Sequence, residues 1–316
     1  MGIEDGASLR SHVATGSGRV DAILASAFPD LTRARIQRRI EAGAVQLDGL
    51  VVRKSAQVYE GAEITIDLGR EPVAPVADPG FALPVLYEDD AIVVIDKPAK
   101  LAVHGAPGDR GPSVAGWFAA RLGPTAASFD SERPGIVHRL DKDTTGVMAL
   151  AKTPAAQAAL SRAFEERTAK KRYLAITDGS PPHLKAVIDA ALARHPADRT
   201  KMGIVRHGRE SRTNYEVLGS TDGHCLILVT PETGRTHQIR VHLAAVGAPV
   251  TFDSVYGKPG AGRQMLHAWS LTLPHPDGGT LTVTAPLPPD MAALVASIGL
   301  DAVASEYTMS RPPHRE

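Results

Sequence analysis

The chain has 316 residues, enough for roughly two domains, and its 43% hydrophobic and 22% charged content is that of a globular protein, so a peptide or a disulfide knot is excluded. Thirty-five Lys and Arg cancel thirty-five Asp and Glu, so no global field draws the chain to a polyanion, and any such site must come from local segregation of charge. The single cysteine, Cys225, lies in an apolar run; it reads as core and excludes a disulfide framework or a site built from several thiolates.

Residues 1–18 are expected to be a disordered lead-in. The opening Met1-Gly2-Ile3-Glu4-Asp5-Gly6 is acidic where a signal peptide would be basic and then apolar. No apolar run reaches the ~20 residues of a membrane span. A cytoplasmic protein without a membrane partner is expected.

Helical patterning begins at Arg19, with Val20, Ile23, Leu24 and Ala27 on one face. A second helix opens at Leu31-Thr32, with Thr32 as predicted N-cap and Gly43 just past its end. Its Ile36 and Ile40 share a face opposite Arg35, Arg38 and Arg39, so one side docks and the other is cationic. Asp48-Gly49, set between Val45-Gln46-Leu47 and Val51-Val52, predicts a hairpin with a type I′ turn, and residues 63–68 alternate like a strand. Residues 19–68 thus form a small helix-helix-strand unit. Pro72, Pro75, Pro79 and Pro84 mark residues 69–84 as a semi-rigid linker.

Residues 85–298 carry short apolar strands at 91–95, 147–151, 173–176, 214–218 and around Cys225, with helical patterning at 113–122, 154–167 and 236–246. Strands outnumber helices and do not alternate regularly with them. The predicted fold class is therefore α+β with a mixed, mainly antiparallel sheet. Residues 299–316 read as a polar tail.

No phosphate-cradling glycine loop, dinucleotide fingerprint or nucleophile elbow is present. His237 and His242 are five apart and lack neighbouring thiols or acids, so no metal site is expected.

Three segments can carry chemistry. Residues 133–146 place Asp141 between Arg139 and Lys142 in a Pro/Gly-bounded loop, with Asp143 two residues on, which suits a carboxylate acting as nucleophile or base. Surface ion pairs or an Asx turn would use the same residues, and on an extended segment the two carboxylates would share a face at about 6.5 Å, as a glycosidase pair does. In residues 233–243, Thr236 is the predicted N-cap of a helix whose first turn gathers Arg235, His237 and Arg240, either as an anion site or as a solvated basic face. The third is Lys170-Lys171-Arg172-Tyr173, three cations before an aromatic that could stack on a base or simply fill the core. Residues 133–172 hold nine Lys/Arg against four Asp/Glu, a local excess that the whole chain lacks.

Together these segments resemble the RluA-type family of RNA pseudouridine synthases. The family signature His-Arg-Leu-Asp-x-x-Thr-Ser-Gly corresponds to residues 138–146, Lys-x-Tyr-x-Ala to 171–175 and Gly-Arg-Thr-His-Gln-Ile-Arg-x-His to 234–242. Weaker matches are Lys97-Pro98 with His104, Asp253 with Tyr256-Gly257, and Leu266-His267-Ala268. Residues 19–68 resemble an S4 RNA-binding domain. Lys100 and Phe252 stand where the family has glycine, and Thr145 where it has serine, which leaves the shape of the neighbouring loops open.

The resemblance implies a cofactor-free isomerase that turns uridine into pseudouridine. Asp141 is the implied catalytic carboxylate, Arg235 its orienting ion-pair partner, Tyr173 the stacking residue and Arg139 a filler of the gap left by the extruded base. Arg33, Arg35, Arg38, Arg39, Lys170, Lys171, Arg172, His237 and Arg240 are the expected RNA contacts. RNA is the expected partner, ribosomal RNA before transfer RNA, and a monomer is expected. A hydrolytic N-glycosidase using Asp141 and Asp143, and a non-enzymatic RNA-binding or ribosome-assembly factor, are the alternatives.

Overall fold

In the computed structural model, Asp48 and Gly49 take φ of 48° and 81°, the left-handed pair that a type I′ hairpin turn demands. The structure describes residues 9–315 apart from 30, 32, 42, 54, 69–79, 105–110, 130–132, 199, 222 and 309–312. The predicted cap Thr32 and most of the predicted linker lie outside the described residues. The chain divides into two units, Met1–Ala74 and Pro75–Glu316.

The first unit contains β1 (Leu9–Val13), β2 (Gly18–Arg19), α1 (Val20–Ala27), α2 (Arg33–Glu41), β3 (Val45–Leu47), β4 (Leu50–Val51), β5 (Gln57–Val58) and β6 (Glu63–Asp67). Its four-stranded sheet runs β1-β6-β3-β4, and β2 pairs with β5. Leu24, Ile36, Ile40, Ile64 and Ile66 meet in one buried cluster, the docking face expected from the helical spacing. The disordered lead-in is corrected: residues 9–13 pair in register with 63–67, because the edge of β6 offers free backbone groups to an extended neighbour. Asp21 is fully buried where it joins the two helices, accepting from Arg19 Nε (3.0 Å), Arg33 Nε (3.0 Å) and Gln37 Nε2 (2.7 Å). The hydrogen bond from Arg19, and then those from Gln37 and Arg33, hold its carboxyl well below the usual carboxylate range. Arg33, an expected RNA contact, therefore has a structural partner.

The second unit contains β7 (Val85–Glu88), β8 (Ile92–Lys97), α3 (Val114–Leu122), β9 (Thr145–Ala151), α4 (Pro154–Glu165), β10 (Lys170–Asp178), β11 (Lys185–Asp189), β12 (Leu192–Arg194), β13 (Met202–Ile204), β14 (Arg212–Thr221), β15 (His224–Pro231), α5 (Gln238–Ala245), β16 (Leu266–Pro274), β17 (Thr280–Thr284), α6 (Pro289–Ser297), α7 (Asp301–Thr308) and β18 (His314–Arg315). Ser113 and Thr153 cap α3 and α4 through their hydroxyls, at 3.0 and 3.1 Å, and Pro154 occupies the first helical position.

A ten-stranded sheet runs β11-β14-β15-β10-β16-β9-β8-β7, with β17 and β18 continuing from β16. Among its described pairings only β9 with β16 is parallel, so the fold is the expected α+β, mainly antiparallel one. Every residue of β9 is buried: Met148 and Leu150 pack into one hydrophobic cluster, and Val147, Ala149 and Ala151 into another. Alternation of side chains across a strand covered on both faces gives that result. Gly146 lets β9 approach β16, because a Cβ there would lie 2.2 Å from the Ala268 carbonyl oxygen.

The predicted tail is also corrected. Leu300 and Ala304 are buried in the main cluster, so residues 301–308 fold as an amphipathic helix, and residues 314–315 pair with β17. Lys100 and Phe252 both take φ of +62°, so the two loops keep the left-handed backbone for which glycine is the easier choice. Phe252 packs over the bare glycines Gly260 and Gly262, where a Cβ would lie within 2.0 and 2.9 Å of its ring.

Candidate active site

The Asp141 loop feeds directly into β9, an interior strand of the sheet that is buried along its whole length. It is a turn rather than an extended segment, closed by a hydrogen bond from Thr144 N to Asp141 O of 3.1 Å. The expected shared face of Asp141 and Asp143 therefore does not exist: Asp141 lines a pocket, and Asp143 is absent from its walls.

Side chains from distant segments fix this turn. The Lys97 ammonium, fully buried, donates to the carbonyls of Pro98 (2.7 Å), Leu101 (2.9 Å) and Lys142 (3.0 Å). Gln264 Nε2 donates to Thr144 Oγ1 at 2.8 Å, and Arg263 Nη1 to the Asp143 carbonyl at 3.3 Å. One residue on, Thr145 Oγ1 meets Nδ1 of the buried His267 at 2.9 Å. Burial pulls the Lys97 ammonium down to about 7, against the charges of Asp143 and Asp141. Behind the loop, His138 Nε2 accepts from Ala149 N at 2.9 Å, and its ring stacks on Phe164 with centroids 4.5 Å apart.

The expected orienting residue is corrected. Arg235 donates its Nε to the carbonyl of Glu210 (3.1 Å), whereas Arg240 Nη1 reaches Asp141 Oδ2 at 3.1 Å. Arg240 also grips Asp253 through both edges of its fork, Nε to Oδ2 at 2.6 Å and Nη2 to Oδ1 at 2.8 Å. Its guanidinium lies over Tyr256, 5.2 Å from the ring centroid. Burial opposes the charge of Arg240, but the hydrogen bonds and charges of Asp253 and Asp141 lift it above its ordinary value. Arg240 is thus a buried clamp rather than the solvated RNA contact expected from its sequence position. The reason is the helix around it: Ile239, Val241 and Leu243 bury α5 on most sides, so a cation within it must be paired.

Helix α5 also starts later than expected. His237, not Thr236, is the N-cap, with φ of +55° and no side-chain cap bond. Its Nδ1 meets the Tyr256 hydroxyl at 2.8 Å, a contact that holds this uncommon backbone conformation.

Tyr173 is buried on β10 beside a break in the register with β16, between Arg172 and Tyr173. Burial, reinforced by the charge of Asp141, pushes its phenol up, so it presents a neutral aromatic face. Asp141, Tyr173, Arg139, Lys171, Arg235 and His237 share the walls of one pocket of about 490 Å³. Lys170 and Arg172 are exposed and lie outside it, and the Arg35 and Arg38 side chains lie outside the described residues. The sequence left Lys97, Asp253, Tyr256, Gln264 and His267 without roles. The available signal for Arg240 was an arginine set between the apolar Ile239 and Val241 in a predicted helix. Chemically, the pocket offers a clamped carboxylate beside an aromatic face, under a rim of cations.

A family model described as RNA pseudouridylate synthase matches residues 91–245, and an S4 domain model matches residues 18–64. The ribosomal large subunit pseudouridine synthase D of Nitrosomonas europaea is 39% identical over 297 residues, covering 89% of this chain and 84% of that protein. An uncharacterized RNA pseudouridine synthase of Chloroflexus aurantiacus is 42% identical, over 89% of this chain and 90% of its own. The solved structure of human RNA pseudouridylate synthase domain containing 1 aligns with a TM-score of 0.56 at 25% identity, covering 75% of this chain and all of that one.

Proposed function

The chain belongs to the RNA pseudouridine synthases, and we propose that it acts on uridines of large-subunit ribosomal RNA with Asp141 as the reacting carboxylate. The reaction breaks the N1–C1′ bond, turns the uracil and joins C5 to C1′, with no change of redox state and no group lost from the RNA. The observation that carries the assignment is the clamped carboxylate of Asp141 facing the same pocket as Tyr173. A uridine flipped out of its helix, at a cost of a few kcal/mol, would bring its sugar to Asp141 and its base to the Tyr173 ring. Stacking of that kind is worth about 1–3 kcal/mol. Asp141 then attacks C1′ or removes the C2′ proton; either route uses its carboxylate.

Arg139, exposed in the pocket wall, would enter the space that the extruded base leaves. The S4 unit supplies further affinity through its arginines, Arg39 and the expected Arg35 and Arg38 among them. Support for ribosomal RNA comes from the printed names of relatives such as the Nitrosomonas europaea protein and from the S4 match. We place the protein in the cytoplasm as a monomer; no helix among the described residues is long and apolar enough to cross a membrane.

The test is nucleotide-resolution pseudouridine mapping of ribosomal and transfer RNA from cells lacking the gene, complemented by wild type or Asp141→Asn. The expected result is one or a few large-subunit sites that wild type restores and Asp141→Asn does not. Restoration by Asp141→Asn would remove that residue from the chemistry, and sites confined to transfer RNA would remove the ribosomal assignment.

A further inference from the structure

Among the described residues, two partly buried cations in the pocket wall have no ionic partner. Lys171 stands two residues before Tyr173 on β10, half-buried, and its Nζ donates to the Thr233 carbonyl at 3.1 Å. Arg235, two residues beyond Thr233, spends its Nε on the Glu210 carbonyl, and among the described residues its Nη groups make no hydrogen bond. Backbone carbonyls orient a cation without neutralising it.

The carboxylates nearby are committed elsewhere or, for Glu165 in the same wall, open to solvent. Asp141 is held by Arg240, Glu210 pairs with Arg167, Glu232 accepts from Asn214 and faces Arg212, and Glu165 is exposed. Among the described residues no Asp or Glu forms an ion pair with Lys171 or Arg235. Burial, and then the charge of Arg235, pull the Lys171 ammonium down to about 8. Two partly desolvated like charges in one wall are costly unless an anion joins them.

We propose that Lys171 and Arg235 form the seat for one backbone phosphodiester adjoining the target uridine. This rests on the reading of the pocket as an RNA site. The ribose that meets Asp141 carries a phosphodiester on each side, and Lys171 and Arg235 line the same pocket as Asp141, within which such a phosphate would fall. Arg235 offers a planar fork of free donors suited to two phosphate oxygens, and Lys171 a point charge with unused N–H groups. The seat gives Arg235 a role that its distance from the Asp141 clamp leaves open. It also fixes the register of the strand, which decides which base reaches Tyr173.

The test is a thermodynamic cycle. A short RNA substrate is made with the phosphate 5′ or 3′ of the reactive uridine replaced, one at a time, by an uncharged methylphosphonate. Binding and single-turnover rates are measured for wild type, Lys171→Gln, Arg235→Gln and Lys171→Arg. At one of the two positions the neutral linkage should weaken wild-type binding by at least about 10-fold, as loss of a charge-assisted hydrogen bond does, and should cost the two Gln variants little more. Lys171→Arg should regain most of the loss. The salt dependence of binding should fall by about 0.7 in the log–log slope for each contact removed.

Losses that multiply at both positions would overturn the seat. If Lys171→Gln does not fold, Arg235→Gln, altered at a more open position, completes the same cycle. Coupling in binding without any pseudouridine formed by wild type would overturn the reaction assigned above and leave the phosphate seat standing.

Discussion

Nη1 of Arg240 lies 3.1 Å from Oδ2 of Asp141, across 99 positions of chain, while the rest of the same guanidinium is locked onto Asp253. Asp141 is 19% exposed and Asp253 fully buried, so the fork couples the proposed reacting carboxylate to an immobile one. On the proposed function, the position of the Asp141 carboxylate would therefore be set by a side chain that need never touch the RNA.

Arg240→Lys keeps the charge but cannot span both carboxylates. It is expected to lower kcat by about 100-fold, ~2.7 kcal/mol of transition-state stabilisation, with KM changed by less than about 3-fold. Arg235→Lys is expected to do the reverse, raising KM and leaving kcat nearly intact. Steady-state kinetics on a ribosomal RNA fragment separates the two, and equal loss of kcat in both variants would contradict the clamp.

Lys97 sits where charge and hydrogen bonding oppose each other. Burial works against its ammonium by the difference between an ordinary 10.5 and about 7, on the order of 5 kcal/mol. Three carbonyls left unpaired cost about 1–3 kcal/mol each. Lys97→Met is therefore expected to destabilise the protein by on the order of 2 kcal/mol and to slow turnover, because the Lys142 carbonyl beside Asp141 loses its anchor. Thermal unfolding with and without RNA checks this; a Met variant as stable as wild type would show that the cost of the buried charge fully offsets its hydrogen bonds.

Acid should unfold the protein through histidines that folding holds neutral, the buried His267 first. Burial lowers His267 from 6.5 to about 4 and His138 from 6.5 to about 3, so each is neutral when folded. Between those values the unfolded chain binds more protons, so the stabilisation is complete above pH ~6.5 and is lost as pH falls toward 4 and then 3. At ~1.4 kcal/mol per pH unit, His267 alone accounts for on the order of 3 kcal/mol. Urea denaturation across pH 7 to 4.5 should show falling stability, with a shallower fall in His267→Asn. A flat profile in wild type would mean that these imidazoles take up protons without leaving the core.

The local signals in the sequence were dependable where one segment decides the outcome. Asp48-Gly49 closes its hairpin, helices form at the predicted stretches 113–122 and 154–167, and Ile36 and Ile40 face inward. Where a second segment decides, local reading failed. Residues 9–13 became a strand because β6 offered an edge, and residues 301–308 a docked helix because the main cluster accepted Leu300 and Ala304.

By itself the sequence determined the kind of chemistry: a carboxylate in a loop, an aromatic on a strand and scattered cations, in an order that resembles one family. The choice between Arg235 and Arg240 as the partner of Asp141 was settled only by tertiary structure. Both arginines are near in sequence, but a buried charge follows its counter-ion, and Asp253 exists at that depth only once α5 has packed and the loop from 249 to 257 has closed over it. Charge number and type are written along the chain; which charges lose their water together depends on the packing of distant segments.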